Sequence, residues 1–164
     1  MEVQLTEFEA PRDLGLLQSW LSRPHVAPWW GDAPEALAHV AAQPPDARRI
    51  ILVDHQPCGF VCWQRLGSAD ISTAGLQSLP ADHLDIDILV GEEDYIGCGV
   101  GPRALVLVVE ILSSQGVSSA GLGTDLENTR ACRAFRKAGF EHRTEFQEAG
   151  RRFGYFTRAL GAAV

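Results

Sequence analysis

Two short stretches carry residue types whose spacing can do chemistry. In Tyr95–Leu105, YIGCGVGPRAL, glycines fall at every second position, Gly97, Gly99 and Gly101. Glycine loses more conformational freedom on folding than any other residue, so three of them ahead of a helix point to a requirement for bare backbone. The chain leading in, HLDIDILVG, reads as a strand ending near Val90. The chain leading out, PRALVLVVEILSS, reads as a helix with Pro102 in its first turn, where a missing N–H is harmless. Strand, glycine loop and helix start leave several N–H groups converging at the positive end of a helix dipole, a seat for a phosphate or pyrophosphate. An ordinary glycine-rich turn is the alternative. The second stretch is the strand itself, on which Asp85 and Asp87 project to one face and Leu84, Ile86 and Ile88 to the other. Two carboxylates on a central strand are costly unless hydrated, paired or used, and a solvated strand face is the competing reading.

Most nucleotide sites are poorly matched by this loop. A P-loop needs Gly-Lys-Ser/Thr at the helix start, where this chain has Gly101, Pro102 and Arg103. A dinucleotide fold shows GxGxxG after its first strand; here the pattern is GxGxG and lies past the middle of the chain. The cysteines, Cys58, Cys62, Cys98 and Cys132, form no CxxC pair and have no histidine at zinc spacing, so reduced thiols and no metal are expected. Cys98 lies inside the glycine loop, but no histidine stands near it in sequence to activate it.

The elements that must position these residues fit one α/β domain over 1–164, long enough at 46% apolar composition for a single core. VQLTEF reads as a strand, PRDLGLLQSWL and APEALAHVAAQ as helices, and RRIILVD and CGFVCWQRL as strands turning at His55-Gln56-Pro57. Gly67 to Asp82 reads as a polar loop. After the glycine-loop helix come SSAGLGT as a strand and NTRACRAFRKAGF as a helix, with Ala131, Ala134, Phe135 and Ala138 on one side and Gly139 at its C-terminal cap. EHRTEFQE and RRFGYFTRAL close the chain as strands around an Ala-Gly turn. The N-terminus lacks the basic and apolar regions of a signal peptide, and the longest apolar run is too short to span a bilayer, so a soluble cytoplasmic protein is expected. A net charge of −7 and a pI of about 5.1 argue against a nucleic-acid partner and suit a cationic one.

The order of elements, the loop Ile96-Gly97-Cys98-Gly99-Val100-Gly101 and the run Asn128 to Phe140 resemble the GCN5-related N-acetyltransferases (GNAT), which transfer acetyl groups from acetyl-coenzyme A to amines. The loop matches the glycines of that family's Arg/Gln-x-x-Gly-x-Gly/Ala pattern, and the second run is similar to its Asn-x-x-Ala-x-x-x-Tyr-x-x-x-Gly-Phe helix. Trp20 to Asp32, Leu66 to Asp70 and Ile86-Asp87 resemble the aminoglycoside 6′-N-acetyltransferases, and the first of these segments also resembles the siderophore hydroxylysine acyltransferases. Two departures stand out: Ile96 replaces the usual Arg or Gln, and Phe135 replaces the tyrosine that would protonate the leaving thiolate.

The resemblance implies the GNAT fold, a mixed central sheet of about six to seven strands with about four helices. It implies acetyl-CoA held by Leu89, Val90, Gly97, Cys98, Gly99, Val100, Gly101, Pro102, Arg103, Asn128 and Phe135. Only a free amine attacks a thioester, and an alkylammonium of pKa about 10.4 is free to about one part in a thousand near pH 7.4, so a carboxylate at the acceptor is useful. Asp87 matches the family's acidic position as general base or amine anchor. Trp29, Trp30, Asp32, Asp70 and Asp85 fall in segments that the resemblance gives to the acceptor side. Trp29 and Trp30 also read as core, Asp70 as a turn residue and Asn128 as a helix cap. His25 reads as holding its loop by a hydrogen bond. The expected acceptor is a small polycationic amine, an aminoglycoside, bound by a monomer or weak dimer. A hydroxylysine acyltransferase and a non-catalytic acyl-CoA-binding module are the alternatives.

Overall fold

The computed structural model describes residues 1–161. Seven strands make one mixed sheet: β1 (Val3–Glu7), β2 (Arg48–Val53), β3 (Gln56–Gln64), β4 (Leu84–Val90), β5 (Ser119–Asp125), β6 (Glu141–Glu148) and β7 (Arg151–Ala159), in the order β1-β2-β3-β4-β5-β7-β6. The helices are α1 (Ala10–Leu21), α2 (Ala27–Trp30), α3 (Ala33–Ala42), α4 (Ser68–Ala74), α5 (Val100–Ser114) and α6 (Thr129–Lys137). The strand count is as expected, but among the described residues there are six α-helices, not about four. The two extra ones are short. α2 forms in the tryptophan segment, and α4 forms in the stretch read as a polar loop. The sequence SADISTA lacks a strong helical stripe, yet Ile71 and Ala74 find apolar partners in Leu76 and Tyr155, so packing supplies what propensity does not.

The β2–β3 turn is a second correction. Asp54 and His55 carry the positive φ values, 48° and 68°, and Gln56 and Pro57 already pair with Val53 and Leu52. The turn lies one residue earlier than the proline suggested, and Pro57 is accommodated beside a register shift at Ile51/Leu52, where a missing donor is tolerated.

The chain divides into two units. One comprises Met1–Trp63 with Asp87–Ala104, and its core gathers Leu17, Trp20, Val40, Ile50, Phe60 and Leu89. The other comprises Gln64–Ile86 with the chain from Leu105 onward, and contains a smaller cluster around Ala74, Leu76 and Tyr155. β4 pairs in parallel with β5 at Leu84↔Ala120 and Asp85↔Gly121. β5 runs antiparallel to β7, and β7 to β6. Among the described residues no helix is long and apolar enough to cross a membrane.

Candidate active site

In the first unit, β4 continues through Asp87, Leu89 and Val90 into Gly91 and then the glycine loop. Of the loop's three glycines, two require their type: Gly97 and Gly99 adopt φ of +74° and +81°, and a Cβ on either would meet only open space. The bareness there is conformational, a left-handed backbone that L side chains rarely adopt. Gly101 instead lies inside α5, one residue after Val100, with Pro102 following in the first turn as expected. Val100 is buried, while Cys98 is exposed and Gly101 and Pro102 are half-buried. Arg103 sends Nη1 to the Met1 carbonyl at 3.2 Å. The loop thus offers backbone N–H groups at the start of a fifteen-residue helix, the arrangement that suits a pyrophosphate.

Asp87 is partly accessible, 37% exposed, with Oδ2 3.7 Å from Nε2 of His39 in the last turn of α3. Nothing local in the sequence connects this helix-end histidine to a carboxylate 48 positions later, so only the tertiary structure pairs them. His25 does hold its segment as expected: its Nε2 is 3.0 Å from the carbonyl of Val90. Trp29 is 39% exposed, whereas Trp30 packs partly against the Trp20 core. Asp32 caps α3, accepting a hydrogen bond from the Glu35 N–H at 3.0 Å.

In the second unit, Asp70 lies exposed in the first turn of α4. Asn128 caps α6, its Oδ1 accepting from the Ala131 N–H at 3.2 Å. Phe135 is buried with its ring edge-on to Phe156 at 5.5 Å, so its ring serves the core. Asp85 is not a simply solvated carboxylate. Its Oδ2 accepts from Gln64 Nε2 at 2.8 Å and its Oδ1 from the Tyr155 hydroxyl at 3.0 Å. The Tyr155 oxygen lies 2.8 Å from His83 Nε2, and His83 Nδ1 lies 2.7 Å from Ser119 Oγ. His83 stands two residues before Asp85, immediately ahead of β4, and that spacing of two is the only local signal linking the pair.

Burial depresses the His83 pKa to about 4, with Arg143 adding to the effect and Asp82 opposing it. The ordinary value of about 6.5 returns on unfolding, so between the two the unfolded chain binds the extra proton. Stability is therefore full above about pH 6.5 and falls as the pH drops toward 4, by up to about 3 kcal/mol. Urea midpoints between pH 7 and pH 4 should show this loss, and His83→Gln should flatten it.

A sequence profile of the acetyltransferase (GNAT) domain matches residues 9–148. The chain belongs to the GNAT acetyltransferase family. Among its GNAT relatives, aminoglycoside N(6′)-acetyltransferase type 1 of Klebsiella pneumoniae is 31% identical over 143 residues, covering 79% of this chain and 69% of the relative. The enzyme of the same name from Serratia marcescens matches equally. Of solved GNAT structures, AAC(6′)-Ib in complex with ribostamycin and coenzyme A superposes with a TM-score of 0.80 at 24% identity, over 97% of this chain and 94% of that one. The aminoglycoside N(6′)-acetyltransferase of Legionella pneumophila gives 0.72 at 18%, over 98% and 94%. At these identities the superpositions speak for the fold: a GNAT fold with a seven-stranded mixed sheet.

Proposed function

We propose that this GNAT domain transfers an acetyl group from acetyl-CoA to a primary amine of a small polycationic acceptor in the cytoplasm, and that the acceptor is an aminoglycoside acetylated at its 6′-amine. The observation that carries the acceptor is the 31% identity, across most of both chains, to enzymes named for that reaction. The donor reading is supported by the left-handed Gly97 and Gly99 leading into α5, and by the coenzyme A present in structures of the same fold.

Asp87 is the general base. The acceptor ammonium gives its proton to this carboxylate, directly or through one water, and the freed amine nitrogen forms a bond to the thioester carbonyl carbon. The C–S bond then breaks and the thiolate leaves, and the second proton, shed by the nitrogen as it becomes an amide, passes to solvent or to the thiolate. No hydroxyl stands at position 135 to protonate it, and none is required, since a thiol of pKa about 8.5 is a tolerable leaving group near neutrality. The pyrophosphate rests on the N–H groups of the Gly97–Gly101 loop, with Leu89 and Val90 of β4, Pro102 and Arg103 of α5 and Asn128 of α6 completing the donor's contacts, while the buried Phe135 ring supports α6 from the core. Trp29, Trp30, Asp32, Asp70 and Asp85 receive the acceptor's apolar faces and remaining ammonium groups. Aspartates suit that task, because each ammonium desolvated on binding needs a paired carboxylate.

The test is thiol release from acetyl-CoA with kanamycin-type aminoglycosides, hydroxylysine, polyamines and peptides, followed by mapping of the acetylated nitrogen. Turnover with aminoglycosides and an acetyl group on the 6′-nitrogen is expected. Release with hydroxylysine alone, or tight coenzyme A binding with no turnover, overturns the proposal. Without acceptor, labelled acetyl-CoA should leave the protein unlabelled. Stoichiometric label on Cys98 would show a covalent route instead.

A further inference from the structure

Within the second unit, Ser119, His83, Tyr155 and Asp85 form a chain of hydrogen bonds whose direction can be read from its end. A carboxylate accepts, so the single Tyr155 hydroxyl proton goes to Asp85 Oδ1, 3.0 Å away. The Tyr155 oxygen then accepts from His83 Nε2–H at 2.8 Å, which leaves Nδ1 to accept from the Ser119 hydroxyl at 2.7 Å. Ser119, His83 and Tyr155 are all buried, whereas Asp85 is half-exposed. Three buried polar groups are thus aimed at one carboxylate that still reaches solvent.

The sheet is shaped to permit this. Tyr155 pairs with Gly123, yet its ring lies across Gly121, two residues back and directly opposite Asp85 in the β4–β5 ladder. A Cβ at position 121 would sit 2.5 Å from Tyr155 Cε1 and 2.7 Å from the Phe156 carbonyl oxygen, so only glycine lets the ring cross. A glycine inside a buried strand is unfavourable in itself, and often marks such a close approach. An apolar residue in place of Tyr155 would fill the same cluster of Ala74, Leu76 and Leu66 without burying a hydroxyl.

We propose that Tyr155 is a positioning residue that, backed by His83, fixes the Asp85 carboxylate as the seat of a second ammonium group of the acceptor. The inference rests on the polycationic acceptor proposed above. The chain does not carry the reaction's proton. With its pKa near 4, His83 would be protonated in only about one molecule in a thousand at pH 7, too rarely to serve as a proton sink. Its part is to present a fixed Nε2–H. Asp87, two residues along β4, remains the group that meets the reacting amine.

The test is a double-mutant cycle of Tyr155→Phe and Asp85→Asn, read as KM for kanamycin, kcat and KM for acetyl-CoA. Each single change should raise the kanamycin KM about tenfold with kcat and the acetyl-CoA KM nearly unchanged. The double variant should be no worse than Asp85→Asn, because the hydroxyl acts only through the carboxylate. His83→Gln, which keeps an N–H donor, should fall between wild type and Tyr155→Phe. Nitrogen NMR of the wild-type protein at pH 7 should find His83 neutral with its proton on Nε2. A proton on Nδ1, a Tyr155→Phe KM within about twofold of wild type, or an additive cycle overturns the inference while leaving the acceptor intact. No wild-type turnover of any aminoglycoside overturns the acceptor reading and this one with it, a result distinct from the preceding three.

Discussion

Asp87→Asn should lower kcat on the acceptor by about a hundred- to ten-thousand-fold, the range supplied by a positioned general base, while acetyl-CoA binds with near wild-type affinity. The asymmetry follows from the chemistry. The carboxamide is almost isosteric with the carboxylate and leaves the fold of β4 alone, but it cannot take the ammonium proton, and the amine must lose that proton before it attacks. In the donor reading proposed above, by contrast, the pyrophosphate is held by backbone N–H groups of the Gly97–Gly101 loop, which the substitution does not touch. His39, whose Nε2 lies 3.7 Å from Asp87 Oδ2, should matter less. It makes a long contact to an accessible carboxylate, and such pairs contribute on the order of 1 kcal/mol or less. Steady-state kinetics with varied acceptor and varied acetyl-CoA, together with calorimetric coenzyme A binding, separate the two sides of the claim. Retained wild-type turnover in Asp87→Asn would remove Asp87 from the role of base.

The parts of this site that were legible in the sequence are those whose physics is local. Helix α6 could be placed because its apolar period, its Asn128 cap and the left-handed Gly139 at φ +88° all lie within a dozen residues. The glycine loop was legible for the same reason. It also led to one over-reading, since Gly101 turned out to be helical while only Gly97 and Gly99 need a positive φ. Pro57 pulled the β2–β3 turn one residue late, because a register shift lets a proline sit inside β3. Helix α4 escaped notice because its stability comes from Leu76 and Tyr155, and Tyr155 is 81 positions beyond Ala74. The Ser119–His83–Tyr155–Asp85 chain was out of reach altogether. It depends on the β5–β7 register, which sets Tyr155 beside Gly123 and lets its ring lie over Gly121, and no periodicity within a single strand encodes that register.

Gly91→Ala should be strongly destabilising, although Gly91 has an ordinary φ and belongs to no motif. A Cβ at this position would fall inside the Trp20 indole, overlapping Cγ, Cδ1 and Cδ2. Neither side can yield. Trp20 is 0% exposed, and its Nε1 donates to Glu92 Oε1 at 2.8 Å, with Arg23 3.7 Å from the other carboxylate oxygen. The backbone is pinned as well, because the Gly91 and Glu92 N–H groups both donate to the Cys58 carbonyl, at 2.8 and 3.1 Å. Overpacking a site that can relax costs about 1–3 kcal/mol, so a loss of about 3 kcal/mol or more is expected here, a large share of the roughly 5–15 kcal/mol that holds a domain together. Gly97→Ala is the informative contrast, since it places its methyl in open space and incurs only the backbone strain of φ +74°, about 1–2 kcal/mol. Urea denaturation of both variants should therefore rank Gly91→Ala well below Gly97→Ala, with a midpoint lower than wild type by about 1–2 M. Trimming the obstacle offers the sharper check. If the collision is with the indole, Trp20→Leu should cost less in the Gly91→Ala background than in wild type, whereas additive losses would place the strain in the backbone after β4 instead.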